Sequence, residues 1–366
     1  MGSVALITAL GGAAMFVFLS RFVKCEHAFL TTVAIYIGSL PFPYATMLFS
    51  HSAVIGLLSI ALWALTDAEY LSRNQPLRCA GTKTNLPTAD EMPRERLGAR
   101  KALLAGLACG FAIASEYTAA LAAAGILVFA FIVSTRAGLM VVVGSISPLL
   151  LIPVYNMICF GSPLNFGYHN LATPEFQAMN DGLFGITFPP KIDATYLLLL
   201  SPERGLMFWT PFTVMIAMGV KPLFQWSKSL FIIITIFSLL HLCAISGYYM
   251  PDGGLALGPR HLGPVLPLFA PLAAIGVSRS PTVGYVLAVI SVLLIAAGTL
   301  ISALTPSHIS NPLWNYYAPR LLSGRFTHTI LGQIGLGREI GGLATLWVII
   351  LLPFIIARTK LFTDVK

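Results

Sequence analysis

The side chains best able to do chemistry in this chain stand at the margins of apolar blocks, where a charge is costly and by default functional. In ASEYTAA (114–120), Glu116 lies in a nearly uncharged helical hairpin; it is either a functional carboxylate or the outer turn of that hairpin. In SLPFPYATMLFSH (39–51), Pro41 and Pro43 interrupt one helix, and a new one enters through Tyr44, Thr46, Ser50 and His51. Such a break is tolerated at membrane depth where neighbours or water satisfy the freed carbonyls. His51 then faces a hydrated cavity or is hydrogen-bonded within the bundle. The segments LLLLSPERGLMFWTPF (197–212) and YYMPDGGLALGPRHLGPVLPL (248–268) place Glu203 and Arg204, then Asp252, Arg260 and His261, just before apolar spans. An arginine at a helix entrance can pair a phosphate through its fork of donors, aided by the helix N-terminus. A single such arginine reads equally as a snorkelling side chain. Two of them, each beside a second ionisable group, point to an anion. No GKS or GKT follows, so neither segment is a nucleotide-binding P-loop.

YNMICFGSPLNFGYHN (155–170) adds Asn156, Asn165, Tyr168, His169 and Asn170, hydrogen-bonding groups of the kind that read hydroxylated ligands, punctuated by Gly161, Pro163 and Gly167. SHISNPLWNYYAPRLLSGRF (307–326) is aromatic beside Arg320 and Arg325, the pattern of an interfacial belt.

The elements that must position these groups are membrane helices. Of the 366 residues, 57% are hydrophobic and 10% charged, with a mean hydropathy of +0.83; a soluble domain carries roughly 25% charged residues. The apolar residues gather in blocks of about 17 to 25, the length of a helix that crosses about 30 Å of hydrocarbon. A spanning β-barrel would instead show alternation over about ten residues. The expected fold is all-α: a single polytopic domain over 1–366 with about eleven spans, near 3–23, 28–41, 45–66, 101–116, 118–135, 138–158, 206–224, 229–248, 261–277, 282–304 and 340–358. The five cysteines show no CxxC spacing, so no disulfide framework or zinc site is readable.

Charge sets the orientation. Arg21 and Lys24 follow the first span, and the polar segment 67–100 holds Arg73, Arg78, Lys83, Arg94, Arg96, Arg100 and Lys101 beside it. Both are therefore expected in the cytoplasm. Alternation from there puts the C-terminus inside, the N-terminus outside, and the long segments 159–205 and 305–339 on the outer face. Loops of that length are often functional. The net charge of +8 is thus a topology signal and not a mark of nucleic acid. Met1 stands directly before an apolar block with no basic n-region, which creates the expectation that one or more spans precede it.

PFPYATMLFSH, SEYTAA, YNMICFGSPLNFGY, LLSPERGLMFWTPF and GGLALGPRHLGPVLPL stand in an order that resembles the GT-C type membrane glycosyltransferases, bacterial relatives of the dolichyl-phosphate-mannose protein mannosyltransferases. The resemblance runs to about residue 275, and SPxRGLxxxxP and GPRxLxPxLP are its most specific parts. It implies a GT-C-like bundle in the bacterial inner membrane. A sugar would pass, with inversion, from a polyprenyl-phosphate donor to a lipid, glycan or protein acceptor on the outer face. The family's catalytic Asp lies in a loop after the first span, and residues 1–66 resemble later spans, so that Asp is absent from this sequence. Glu116 and Asp252 are the remaining outer-face carboxylates to act as base. Arg204 and Arg260 match the family's motifs and are implied to contact phosphate, with Glu203, His261, His51, Tyr44, Tyr168 and His169 lining the substrate site. No cofactor is certain, although a divalent metal fits such a site. The rival function is a non-catalytic lipid-binding or assembly subunit that keeps the scaffold. A secondary transporter fits the span count, but no internal repeat or matched pair of broken helices supports it.

Overall fold

The computed structural model describes residues 2–65 and 98–358, apart from His308, His328 and Ile330. Nearly all of the segment expected as a cytoplasmic loop, 67–100, lies outside the described residues. Within them the chain is all-α, with isolated bridges and no strand. The helices are α1 (Gly2–Leu19), α2 (Cys25–Tyr36), α3 (Pro41–Ala45), α4 (Ser50–Leu65), α5 (Ala99–Ser115), α6 (Ala119–Val133), α7 (Thr135–Leu149), α8 (Leu151–Phe160), α9 (Ile192–Leu199), α10 (Leu206–Trp209), α11 (Met215–Trp226), α12 (Lys228–Ser246), α13 (Leu266–Arg279), α14 (Pro281–Ser302), α15 (Ala318–Leu322) and α16 (Arg338–Arg358).

Among the described residues, five stretches are long and apolar enough to cross a membrane: Gly2–Leu19, Thr135–Phe160, Lys228–Ser246, Arg260–Arg279 and Pro281–Ser302. Ser50–Leu65 and Ala119–Val133 are shorter apolar helices. Proline shapes several boundaries: Pro41 and Pro43 start α3, Pro148 sits at the α7–α8 junction, and Pro264 and Pro267 mark the entry to α13.

Burial separates the bundle's interior from its periphery. In the most apolar 18-residue window of Arg260–Arg279, 83% of the residues are buried, whereas in that of Thr135–Phe160 only 28% are, and this stretch presents Leu139, Val143, Ile146, Val154 and Ile158 outward. Apolar side chains facing outward on an apolar helix are what a hydrocarbon solvent permits. In that solvent helices gain little from hydrophobic exclusion and associate by close backbone packing. Reciprocal glycines make that packing here. A Cβ on Gly11 would come 2.2 Å from Gly56 Cα, pairing α1 with α4. A Cβ on Gly106 would meet Val141 O at 2.1 Å and one on Gly144 would meet Leu103 O at 2.3 Å, pairing α5 with α7. Gly219 against Leu272 O and Gly276 against Met215 O, both at 2.0 Å, pair α11 with α13.

The segments between helices gather at one end. Turn 116–118 between α5 and α6, α3, the segment 161–191, the turn 247–260 and the stretch after α14 all meet there. Thr187 N donates to Gly247 O at 2.9 Å, Tyr249 N to Gly185 O at 2.8 Å, and Ala256 N to Thr305 O at 3.0 Å.

Candidate functional site

At that end three side chains from distant parts of the chain converge. His51 is the second residue of α4, Glu116 caps the C-terminus of α5, and His261 lies in the 3-10 turn Arg260–Val265 that leads into α13. Glu116 has extended backbone angles, which turn its side chain out of the helical path. Its Oε2 lies 2.7 Å from His51 Nδ1, and its Oε1 accepts from Thr118 Oγ1 at 2.8 Å. The side chains of His51 and Glu116 are 8% and 11% exposed, so the pair is almost removed from solvent. The His261 ring packs edge-on to His51 with centroids 5.5 Å apart. One ligating atom from each of His51, Glu116 and His261 lies within 4.8 Å of the others. Burial alone would raise the Glu116 carboxyl, but the neighbouring His51, with which it is also hydrogen-bonded, His261 and the hydrogen bond from Thr118 hold it down to about 2.

Arg260, next to His261, has a buried Nε with no hydrogen-bond partner, and its guanidinium lies 5.3 Å from the centroid of the Phe49 ring. Arg204 is placed differently. It is fully buried; Nε donates to Asp252 O at 3.1 Å, Nη2 to Gly254 O at 2.8 Å and to Thr305 O at 3.1 Å, and Nη1 to Glu203 O at 3.3 Å. Its fork holds outer segments together through their carbonyls. Asp252 takes part in that arrangement through its backbone oxygen, and its carboxylate is outside the His51–Glu116–His261 group. Glu203 likewise offers its backbone oxygen, to Arg204 and to Trp209 Nε1. Tyr44 is fully buried, with its hydroxyl 3.1 Å from both the carbonyl and the amide of Leu257. Its polar atom thus fixes the 247–260 turn, while its ring packs against His51 with centroids 5.6 Å apart.

Tyr168 belongs to an aromatic group with Tyr117, Phe166 and Phe184, ring centroids 5.0 to 5.8 Å apart. Burial and the nearby Tyr117 and Glu116 raise its hydroxyl pKa. His169 is exposed at the rim against Phe166, and Asn170 bonds Asn165 Oδ1 at 2.9 Å. Asn156, by contrast, is buried and donates to Pro163 O. Arg320 stacks on Tyr316 at 3.7 Å.

Several contributors escaped the sequence reading. Phe184 has a φ of 53°, a left-handed conformation rare for a bulky residue. Tyr117 was adjacent to a singled-out residue. His241, fully buried in α12, holds His261 O at 2.7 Å through Nε2 and leaves Nδ1 unpartnered. Its signal was present: a lone histidine in an otherwise apolar span.

An apolar cavity of about 250 Å³ runs between α9, α10, α11, α12, α13 and the turn Arg260–Val265, lined by Leu206, Phe231, Leu242, Leu262, Val265 and Phe269 among others. Val220 and Leu239, also in its lining, are exposed.

No protein-family model matches the chain, and no curated protein matches it. Among solved structures, the crystal structure of ArnT from Cupriavidus metallidurans in the apo state is matched at 15% identity and a TM-score of 0.44. The match covers 96% of this chain and 61% of that one.

Proposed function

We propose that the chain is a GT-C-like glycosyltransferase that uses a polyprenyl-phosphate-linked sugar at the outer face of the membrane. The observation that carries this reading is the His51–Glu116 pair, 2.7 Å apart, with His261 beside Arg260, whose Nε is buried and unpartnered, next to an apolar cavity that reaches Leu262. Arg260 receives the donor phosphate, and the cavity beside Leu262 receives the first isoprene units. An acceptor hydroxyl oxygen attacks the anomeric carbon, the bond from that carbon to the phosphate oxygen breaks, and polyprenyl phosphate leaves with the electron pair. The hydroxyl proton passes to the His51–Glu116 pair. Arg260 offsets charge on the leaving phosphate, an electrostatic contribution that grows in a water-poor site. The Tyr117–Phe166–Tyr168–Phe184 group offers ring faces to the sugar or acceptor.

In this reading 67–100 is cytoplasmic, 159–205 and 305–339 lie outside, the N-terminus is outside and the C-terminus inside, as the distribution of Lys and Arg supports. The membrane is the bacterial inner membrane by the resemblance of the motifs. Arg204, with Glu203 and Asp252, serves to hold the outer segments in register.

Membranes containing the chain, supplied with a radiolabelled polyprenyl-phosphate sugar and a lipid, glycan or protein acceptor, should transfer label. Arg260→Ala should lower transfer about 100-fold, the scale of losing one charge-stabilising donor, and Arg260→Lys should restore part of it. Binding of the donor without transfer would instead identify a lipid-binding subunit.

A further inference from the structure

We infer that His51, Glu116 and His261 form a binding site for one divalent transition-metal ion of the zinc and cobalt class. Two imidazoles and one carboxylate are a donor set that suits these ions, whereas magnesium and calcium take oxygen ligands. Tetrahedral donors at 2.0–2.1 Å from zinc stand about 3.3 Å apart. The three ligating atoms already lie within 4.8 Å of one another, so small side-chain rotations close the set. Three separate elements supply them, the start of α4, the C-cap of α5 and the turn before α13, and two of the three ligands are held from behind. Thr118 Oγ1 orients Glu116 through Oε1, and His241 Nε2 fixes the His261 backbone carbonyl at 2.7 Å. Such outer contacts orient ligands and tune affinity.

Three protein ligands leave a fourth position open to a water or an oxygen ligand. When bound, the ion would supply a Lewis acid to whatever oxygen enters there. It would take the place of the proton between His51 and Glu116, so that metal loading and proton acceptance by this pair are alternative states of the site. Metal binding does not depend on sugar transfer, so the two can fail separately.

The test is metal binding by the full chain, purified in detergent on a tag without histidine, stripped with chelator and titrated with Zn²⁺ or Co²⁺. One equivalent should bind, and X-ray absorption of the zinc-loaded protein should show two imidazoles and oxygen in the shell. Glu116→Gln, His51→Asn and His261→Asn should each weaken binding at least 10-fold, while His169→Asn, on the exposed rim, should leave it unchanged. The absorption measurement on the unmodified chain needs no variant and so stands even where a substitution impairs folding. No stoichiometric binding, a shell without two imidazoles, or binding unchanged in Glu116→Gln would overturn the site. Transfer assayed on the same chelator-treated preparations separates the readings: transfer without metal binding removes the metal site alone.

Discussion

At the residue scale, the two arginines that the sequence presents alike are placed in opposite circumstances. Arg204 donates to carbonyls 48, 50 and 101 residues away in the chain, and Arg260 keeps an unpartnered Nε beside the His51–Glu116–His261 group. Their substitutions should therefore fail in different ways. Arg204→Ala leaves several buried carbonyls without donors, at about 1–3 kcal/mol each, and should lower the thermal unfolding midpoint of the detergent-solubilised protein. Arg260→Ala should leave that midpoint near the parent value and reduce donor affinity. Equal midpoints for the two variants would contradict the assignment. Local sequence could not separate these arginines, because each stands at the entrance of an apolar stretch and the partners of Arg204 come from remote segments. Glu116 was legible for the opposite reason: a carboxylate in an uncharged hairpin is conspicuous wherever it folds. Its partner His51 was legible as a candidate, but the 2.7 Å pairing between them belongs to the packing of α4 on α5.

At the element scale, the bundle is held by helix pairs whose backbones approach through glycine. Gly106→Leu or Gly219→Leu would drive a side chain into Val141 O or Leu272 O, and overpacking of this kind costs about 1–3 kcal/mol or more. Each should reduce the folded yield and the unfolding midpoint. Gly98→Ala, where a Cβ meets nothing within 4 Å, is the matched control and should behave as the parent. If the Gly106 and Gly219 variants matched the control, the close pairs would not support the bundle. The apolar blocks announced helices because a run of such length has few other ways to satisfy its backbone in lipid. Their pairing was not announced, since a glycine in an apolar block reads the same on a lipid-facing surface as on a packed one. The short helices α3, α9, α10 and α15 were also hidden, because Pro and Gly marked breaks without revealing what lies between them.

At the scale of the whole molecule, the candidate residues lie at one end of the bundle, and the proposed function needs that end to face outward, as the distribution of Lys and Arg predicts. Cys159, exposed at the end of α8, and Cys79, in the segment 67–100, should then stand on opposite sides. In intact cells an impermeant maleimide should label Cys159 in a variant whose other cysteines are replaced, and should reach Cys79 only after permeabilisation. Labelling in the reverse order would place the site in the cytoplasm and remove the outer-face donor from the account. The convergence of segments far apart in sequence on one end is what alternating spans produce. The cavity beside Leu262 was not legible in the sequence, because its walls are ordinary apolar residues.

The claim that this end transfers sugar from a lipid phosphate is tested most directly by single-turnover cleavage of a radiolabelled polyprenyl-phosphate sugar by the purified chain, over a range of donor concentrations. The account predicts that the parent cleaves the donor when an acceptor is present. It predicts that Glu116→Gln loses rate at every concentration with the concentration for half-maximal rate little changed, and that Arg260→Ala needs a much higher concentration. Cleavage unaffected by both substitutions, or no cleavage by a parent chain that binds the donor, would contradict it.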